Sequence, residues 1–413
     1  MIQIAVMGHG VVGSGVVEVF QKNYKSIRRK IGDDVQITRI LDLRDFPGCG
    51  YEDKFTKNFE DIVSDPQISI VAEVMGGLHP AFEFVKECLE RGKSVVSSNK
   101  ELVAQKGAEL LELARCNHVN FFFEASVGGG IPIIRPLHQC LAANEIDEIA
   151  GILNGTTNFI LTKMIREQME FSHALALAQQ LGYAERDPSA DVQGLDACRK
   201  ICILASLAFG RHVYPQDVPT QGIEGVEPQD VAYAEDWGGV IKLIGRAKRL
   251  ENGKLDVCVG PMFLSGDSQL ASVDDVFNGI LVRGDATGDV VFYGKGAGKL
   301  PTASAVVADI IDAAKASDTC STLYWRDTGE AIVEDAQTVS CARYVRLEGT
   351  DCAHWQRAQE LLQVQKRLYR GGEPPEQRAY ITHPLSGNAV SQAREQLGQM
   401  GIQMLSCMDV LDD

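Results

Sequence analysis

The feature that most constrains this chain stands near residue 1. An apolar run, Ile2 to Met7, meets Gly8-His9-Gly10-Val11-Val12-Gly13, after which Val16, Val17, Val19 and Phe20 recur at helical spacing. Strand, tight turn and helix in that order form the first unit of a parallel α/β sheet. Glycine at these positions lets the backbone approach a pyrophosphate at the helix N-terminus, where unpaired N–H groups and the helix dipole favour negative charge. The same glycines also suit a purely structural turn.

The rhythm continues. Strands are predicted at Val35 to Leu41, Ile68 to Val74 (ending at Gly76-Gly77), Ser94 to Ser97 and Val119 to Phe123, with helices at Pro80 to Arg91 and Glu101 to Cys116. Such alternation implies a Rossmann-like, doubly wound α/β domain whose parallel sheet is covered on both faces. From Ile146 the pattern changes. A strand to Leu153 leads into helices over Thr157 to Arg166, His173 to Leu181 and Asp191 to Phe209, and strands follow at Lys254 to Leu264 and Gly279 to Val291, an α+β domain. Pro301 to Lys315 reads as an amphipathic helix capped by Thr302. The tail repeats strand Ala342 to Leu347, helix Cys352 to Gln365, strands Arg367 to Tyr369 and Arg378 to Ile381, helix Gly387 to Met400 and strand Ile402 to Met408. That βαββαβ order is the ferredoxin-like arrangement. The expected division is 1–130 (completed by the helix at about 301–315), 131–300, a linker at 316–338, and 339–413.

Composition narrows the function. The 413 residues are 45% apolar and 23% charged, as folded proteins are, and the formal net charge of −16 would repel a phosphate backbone, so nucleic acid is not an expected partner. The longest apolar stretches, such as Ile201 to Phe209, are too short to span a bilayer. With no signal-peptide pattern at the first residues, the chain is expected to be cytoplasmic, away from membranes. The 11 cysteines include no Cys-x-x-Cys, and reduced, mostly buried thiols are expected rather than disulfides or zinc.

Several segments carry chemistry. Where the second strand ends, Asp42 would accept ribose hydroxyls and Arg44 would favour an extra phosphate, so NAD and NADP both remain open; Asp42 also suits an ordinary turn. Lys100, closing Ser97-Ser98-Asn99-Lys100 at a strand's carboxyl end, is a candidate proton-transfer group or a solvated helix-start lysine. Between Gly182 and Lys200 lie Glu185, Asp187, Asp191 and Asp196. On a helix, Asp196 and Lys200 share a face, either as a surface ion pair or as the charged end of a buried helix facing a ligand. Carboxylates so buried call for a cation, which a substrate ammonium would supply. The glycine-rich pieces 124–132 and 294–298 permit close approach to a ligand or act as hinges, and Gly155-Thr156-Thr157-Asn158 supplies polar groups or a helix cap.

Taken together, these motifs resemble the homoserine dehydrogenase family, in its single-function bacterial form with a C-terminal ACT domain. The resemblance runs along essentially the whole chain. It rests on the Gly8 to Gly13 turn, Glu73 to Gly77, Ser98 to Lys100, Glu124 to Pro132, Asn154 to Phe159, Gly182 to Glu185 with Asp187-Pro188, Asp191 to Lys200, and Gly296 to Gly298 with Pro301 to Ser304. It implies NAD(P)-dependent interconversion of L-homoserine and L-aspartate 4-semialdehyde, a step toward threonine, methionine and isoleucine. Gly8, Gly10, Val11, Val12, Gly13, Asp42, Arg44, Gly76, Gly77, Ser98, Asn99, Lys100 and Gly298 match cofactor-lining positions. Lys100 and Lys200 match lysines near the reacting oxygen, with Lys100 or a water it orients as acid/base. Glu185, Asp191, Asp196, Thr156 and Tyr183 match substrate-site positions, and Glu124, Val127, Gly129 and Ile131 match a sodium-binding loop. Leu41 stands where many relatives carry arginine, and Arg199 where many carry histidine. The resemblance further implies a substrate and dimerisation role for 131–300, a homodimer or higher homo-oligomer, and an amino-acid effector at the ACT domain. An aldehyde dehydrogenase acting on an acyl phosphate would need a cysteine nucleophile in an identifiable pattern, which is lacking. The alternative from another class is a catalytically silent sensor of cofactor and amino acid.

Overall fold

A computed structural model of the chain describes residues 1–316, 319–321, 323–350 and 354–411. Residues 317, 318 and 322 of the expected linker, and 352 and 353 of the expected tail helix, lie outside the described residues. The chain forms two compact units. One comprises Met1–Glu145, Cys202–Pro215 and Gly294–Glu330; the other comprises Ile146–Ile201, Gln216–Tyr293 and Ala331–Asp413.

In the first unit Ile2–Met7 is the central strand, buried from Ile4 onward, and pairs in parallel with Val35–Leu41 on one side and Ile68–Glu73 on the other. Phe55–Thr56 extends one edge, while Ser94–Ser97 and then Phe121–Phe122 extend the other. The resulting strand order, 3-2-1-4-5-6, is that of dinucleotide-binding folds. Helix Val11–Ile31 buries Val16, Val17, Phe20 and Ile27 against Ile4, Val6 and Ile37, and against Val306 and Ile310 of the much later helix Lys299–Lys315. Each such side chain contributes roughly 1.5–3 kcal/mol of burial, so a charge at Val16 would break this layer. Trp325, 1% exposed, sets its ring edge on Phe123 at 5.5 Å and donates its indole N–H to His212 at 2.9 Å.

The second unit holds a nine-stranded sheet in the order Gly288–Lys295, Phe277–Gly284, Ile146–Ile152, Gly239–Arg249, Leu255–Ser265, Ile402–Leu411, Arg343–Gly349, Gln377–Thr382, Val364–Leu368. The last four strands, with helices Trp355–Leu361 and Gly387–Gln399, form the βαββαβ module, and its final strand lies beside its first as ferredoxin-like order requires. Asp409, Val410 and Leu411 run parallel to Met262, Phe263 and Leu264, which makes the module's sheet continuous with the rest. Arg346, 1% exposed, pins the module to helix Pro228–Trp237 through Asp230, which is 0% exposed (Nε to Oδ1, 2.7 Å).

Four expectations need correction. The helix expected over Asp191 to Phe209 is two, Ser189–Val192 and Leu195–Phe209, broken where Gly194 adopts φ +81°, a conformation that side-chain-bearing residues resist. The strand expected over Gly279 to Val291 is a hairpin, Phe277–Gly284 and Gly288–Lys295, turning at residues 285–287. Thr302 does not cap its helix: Gly298 is the N-cap, and Thr302 is buried in the first turns. Nor are the thiols mostly buried, since among the described cysteines only Cys88, Cys198, Cys202 and Cys341 are buried, while Cys116, Cys140 and Cys320 are exposed. Among the described residues no helix is long and apolar enough to cross a membrane.

Candidate active site

The glycine turn is built for close contact. A Cβ added at Gly13 would stand 2.0 Å from the Gly8 carbonyl oxygen, so any side chain there would push helix Val11–Ile31 off its strand. The helix begins at Val11 with Gly10 as N-cap and no side-chain cap bond, and its first turn carries no acid. Backbone N–H groups are thus presented at an uncapped positive end, the arrangement that suits a pyrophosphate.

At the end of the next strand, Asp42 accepts the backbone N–H of His9 (2.8 Å), and the backbone N–H, Nε and Nη2 of Arg44 (3.0, 3.0 and 2.9 Å). The Arg44 bonds lead in holding the Asp42 carboxyl well below its ordinary range. The Arg44 side chain remains 64% exposed above Phe46. His9 is buried edge-on against Phe46 and Phe55, and burial lowers its imidazole pKa.

Two adjacent strand ends then set up Lys100. Glu73, fully buried, accepts the Ser97 hydroxyl (2.6 Å) and the backbone N–H groups of Met75 (2.9 Å) and Gly76 (3.4 Å). Burial pushes its carboxyl pKa up against the pull of those donors. Ser97 in turn accepts the Asn99 backbone N–H (3.0 Å), and Asn99 Nδ2 donates to the Gly77 carbonyl (2.6 Å) while Oδ1 caps Leu102 (3.1 Å). Lys100 is therefore the first residue of a firmly capped helix, Lys100–Cys116, and is half-buried. Gly76, Gly77, Ser98 and Asn99 come together here.

Glu124 folds its own loop. Its carboxylate accepts the backbone N–H groups of Ile133 (2.6 Å), Ile134 (2.9 Å) and Arg135 (2.9 Å). Its backbone N–H donates to Asp309 (2.8 Å), which Arg135 also meets. Burial first, with Glu124 adding repulsion against the pull of Arg135, raises Asp309 to a pKa of about 7. Among the described residues no cluster of three or more His, Cys, Asp or Glu side chains could hold a metal ion.

In the second unit the acids converge. Asp196, 3% exposed, accepts Lys200 Nζ at 2.8 Å on the next turn of the same helix, and Lys200, 7% exposed, also donates to the Leu153 carbonyl at 2.8 Å. Asn154 Nδ2 donates to both Asp196 Oδ2 (2.9 Å) and Asp191 Oδ1 (2.7 Å). Thr156, nearly buried, gives its hydroxyl to the Tyr183 carbonyl (2.7 Å), and the half-exposed Tyr183 ring leans on Phe159. Asp191, Asp196 and Lys200 are thus joined, Thr156 and Tyr183 tie the 182–188 loop to helix Gly155–Arg166, and Glu185 is exposed on that loop. Two residues inside the sequence motifs that carry no role by sequence alone, Glu73 and Asn154, are hubs. The signals existed: an acid ending an otherwise apolar strand, and a cap residue following one.

Comparison with known proteins agrees with this geometry. Residues 8–124 match the NAD binding domain of homoserine dehydrogenase, and 132–311 match homoserine dehydrogenase itself. A homoserine dehydrogenase of Synechocystis sp. is 47% identical over 317 residues, 75% of this chain and 73% of that protein. One of Bacillus subtilis is 41% identical over 317 residues, 75% of this chain and 72% of that protein. The crystal structure of a homoserine dehydrogenase from Thiobacillus denitrificans aligns over 100% of this chain and 98% of its own with a TM-score of 0.90 at 34% identity. An uncapped dinucleotide turn, a lysine at a strand end and a buried carboxylate–lysine cluster, read with these likenesses, lead to one assignment: the chain belongs to the homoserine dehydrogenase family of NAD(P)-dependent oxidoreductases.

Proposed function

We propose that this chain interconverts L-homoserine and L-aspartate 4-semialdehyde, with Asp191, Asp196 and Lys200 as the amino-acid-binding cluster. The observation that carries the reading is the Asp191–Asn154–Asp196–Lys200 network. Two carboxyl groups held together by one amide in a largely buried setting suit the α-ammonium of an amino alcohol. Glu185, Thr156 and Tyr183 are assigned to the same site. Lys200 is assigned a place beside the reacting oxygen, and Lys100, or a water it orients, exchanges the hydroxyl proton. When bound, the nicotinamide supplies the hydride acceptor or donor. Gly8, Gly10, Val11, Val12, Gly13, Gly76, Gly77, Ser98, Asn99 and Gly298 would hold the cofactor.

Both cofactors are used in this reading. Arg44 neutralises Asp42 and keeps an exposed guanidinium for a 2′-phosphate; turned aside, it frees Asp42 for ribose hydroxyls. Glu124 together with backbone carbonyls of the loop at Val127, Gly129 and Ile131 would hold a sodium ion. Residues 339–413 would form an effector-binding ACT domain, joined by the 316–338 segment to the 131–300 substrate domain of a homo-oligomer.

The test mixes purified protein and homoserine with NAD or NADP and follows reduced-nicotinamide absorbance. Turnover is expected with both. Lys100→Met should abolish it with cofactor affinity retained, and Arg44→Ala should lose NADP turnover roughly 10- to 100-fold while keeping NAD. Near-normal turnover by Lys100→Met, or no NADP activity in the unaltered protein, would reject the corresponding role.

A further inference from the structure

Asn154 occupies the first turn after strand Ile146–Ile152 and is 5% exposed. Every polar atom of its side chain is engaged, and on two different tasks. Oδ1 accepts the Thr157 backbone N–H at 2.8 Å and the Thr157 hydroxyl at 3.0 Å, which caps helix Gly155–Arg166. Nδ2 donates its two protons to two acids, Asp191 and Asp196. The amide orientation follows from this: flipped, it would turn an oxygen toward two carboxylates and an NH2 toward an N–H.

We infer that Asn154 is a positioning residue that holds Asp191 and Asp196 side by side, so that the pair presents one site to the substrate ammonium. The inference rests on the assignment of those acids to substrate binding. The physical need is plain. Two carboxylates reaching the same nitrogen repel each other, and the Asn154 amide nitrogen is a donor they share, while Lys200 is bonded to Asp196 Oδ2. Asp196 sits on helix Leu195–Phe209 and Asp191 on the separate helix Ser189–Val192, across the break at Gly194, so the helix backbone alone does not fix their spacing. An amide is the one ordinary side chain that can cap a helix through its oxygen and bridge two acids through its nitrogen. Because the acids would grip a ground-state ammonium, losing the clamp should weaken homoserine binding more than it slows the chemical step.

The experiment separates capping from clamping. Ser and Asp are both good N-caps, so Asn154→Ser and Asn154→Asp keep the helix start while removing the NH2. Wild type and both variants are compared for kcat and KM for homoserine at saturating cofactor across pH, for cofactor Kd, and for thermal midpoint. Asn154→Ser is expected to lower kcat/KM roughly 10- to 100-fold, mainly through KM, with cofactor Kd unchanged. Asn154→Asp puts a third acid against the pair and should move the acid limb of the kcat/KM profile upward by about one pH unit or more. A wild-type KM and pH profile in Asn154→Ser overturns the inference. So does a loss that follows only the folded fraction, with KM and the acid limb unmoved, since a simple cap would give that result. Lys200→Met distinguishes the two readings: if it turns over homoserine normally, the site assignment falls and this inference with it. If it is inactive while Asn154→Ser is unaltered, only the role of Asn154 falls.

Discussion

Replacing Lys200 with Met is the most informative stability experiment, because it keeps the volume of the side-chain stem and removes only the charge. Lys200 Nζ donates to Asp196 Oδ2 and to the Leu153 carbonyl, both at 2.8 Å. In the variant, Asp196 keeps Asn154 Nδ2 but loses the charge of Lys200 at a site that is 3% exposed. One escape is to take up a proton, and for a carboxyl of ordinary pKa, about 3.9, that costs about 4 kcal/mol at pH 7. Broken buried pairs generally cost about 3–5 kcal/mol, so the two routes agree. The lost bond to Leu153 adds about 1–3 kcal/mol that does not depend on pH. The deficit should therefore shrink by about 1.4 kcal/mol per unit as pH falls from 7 toward 4, leaving only the pH-independent part. Urea unfolding followed by circular dichroism at several pH values measures it. Adding Asp196→Asn should recover most of the pH-dependent loss. A deficit below about 1 kcal/mol at pH 7, or one flat in pH, would refute the view that this pair is buried and mutually dependent.

Two further outcomes are expected. Gly13→Ala forces a Cβ to within 2.0 Å of the Gly8 carbonyl oxygen, so the helix must shift and reduced-nicotinamide binding, read by fluorescence titration, should fall at least about 100-fold; near-normal binding would show that the turn does not carry the cofactor. Asp309, raised from 3.8 to about 7, binds its proton more tightly in the folded state, so its contribution to stability is greatest at low pH and declines as pH rises between those values. Relative to Asp309→Asn, wild type should lose up to about 4 kcal/mol from pH 4 to pH 8, and a pH-independent difference in urea midpoints would contradict that.

The first domain was legible because its signals are local. Ile2–Met7, Val35–Leu41 and Ser94–Ser97 are short stretches carrying valine or isoleucine, bounded by glycine or polar breaks. The βαββαβ order of the tail was legible for the same reason. By contrast, strand Gly239–Arg249 and helix Pro228–Trp237 went unread. The strand carries Lys242 and Arg246 at 0% and 4% exposure, charges that mask its apolar pattern and that only distant residues make tolerable: Asp274 for Lys242, Glu148 and Asp256 for Arg246. The start of helix Lys299–Lys315 was misjudged because Thr302 is a common cap residue, whereas the tertiary fold begins that helix at Gly298.

By itself the sequence determined which side chains are available and at what spacing: the glycine turn, Lys100 following a strand, and Asp196 with Lys200 one helical turn apart. The tertiary structure decided which of them share a hydrogen. That Glu73 anchors the start of the lysine-bearing helix through Ser97, and that one amide serves both Asp191 and Asp196, depends on strand ends and helix starts meeting in the fold. Periodicity reports the face of an element, but a hydrogen bond requires two atoms within about 3 Å of each other, and only packing brings them there.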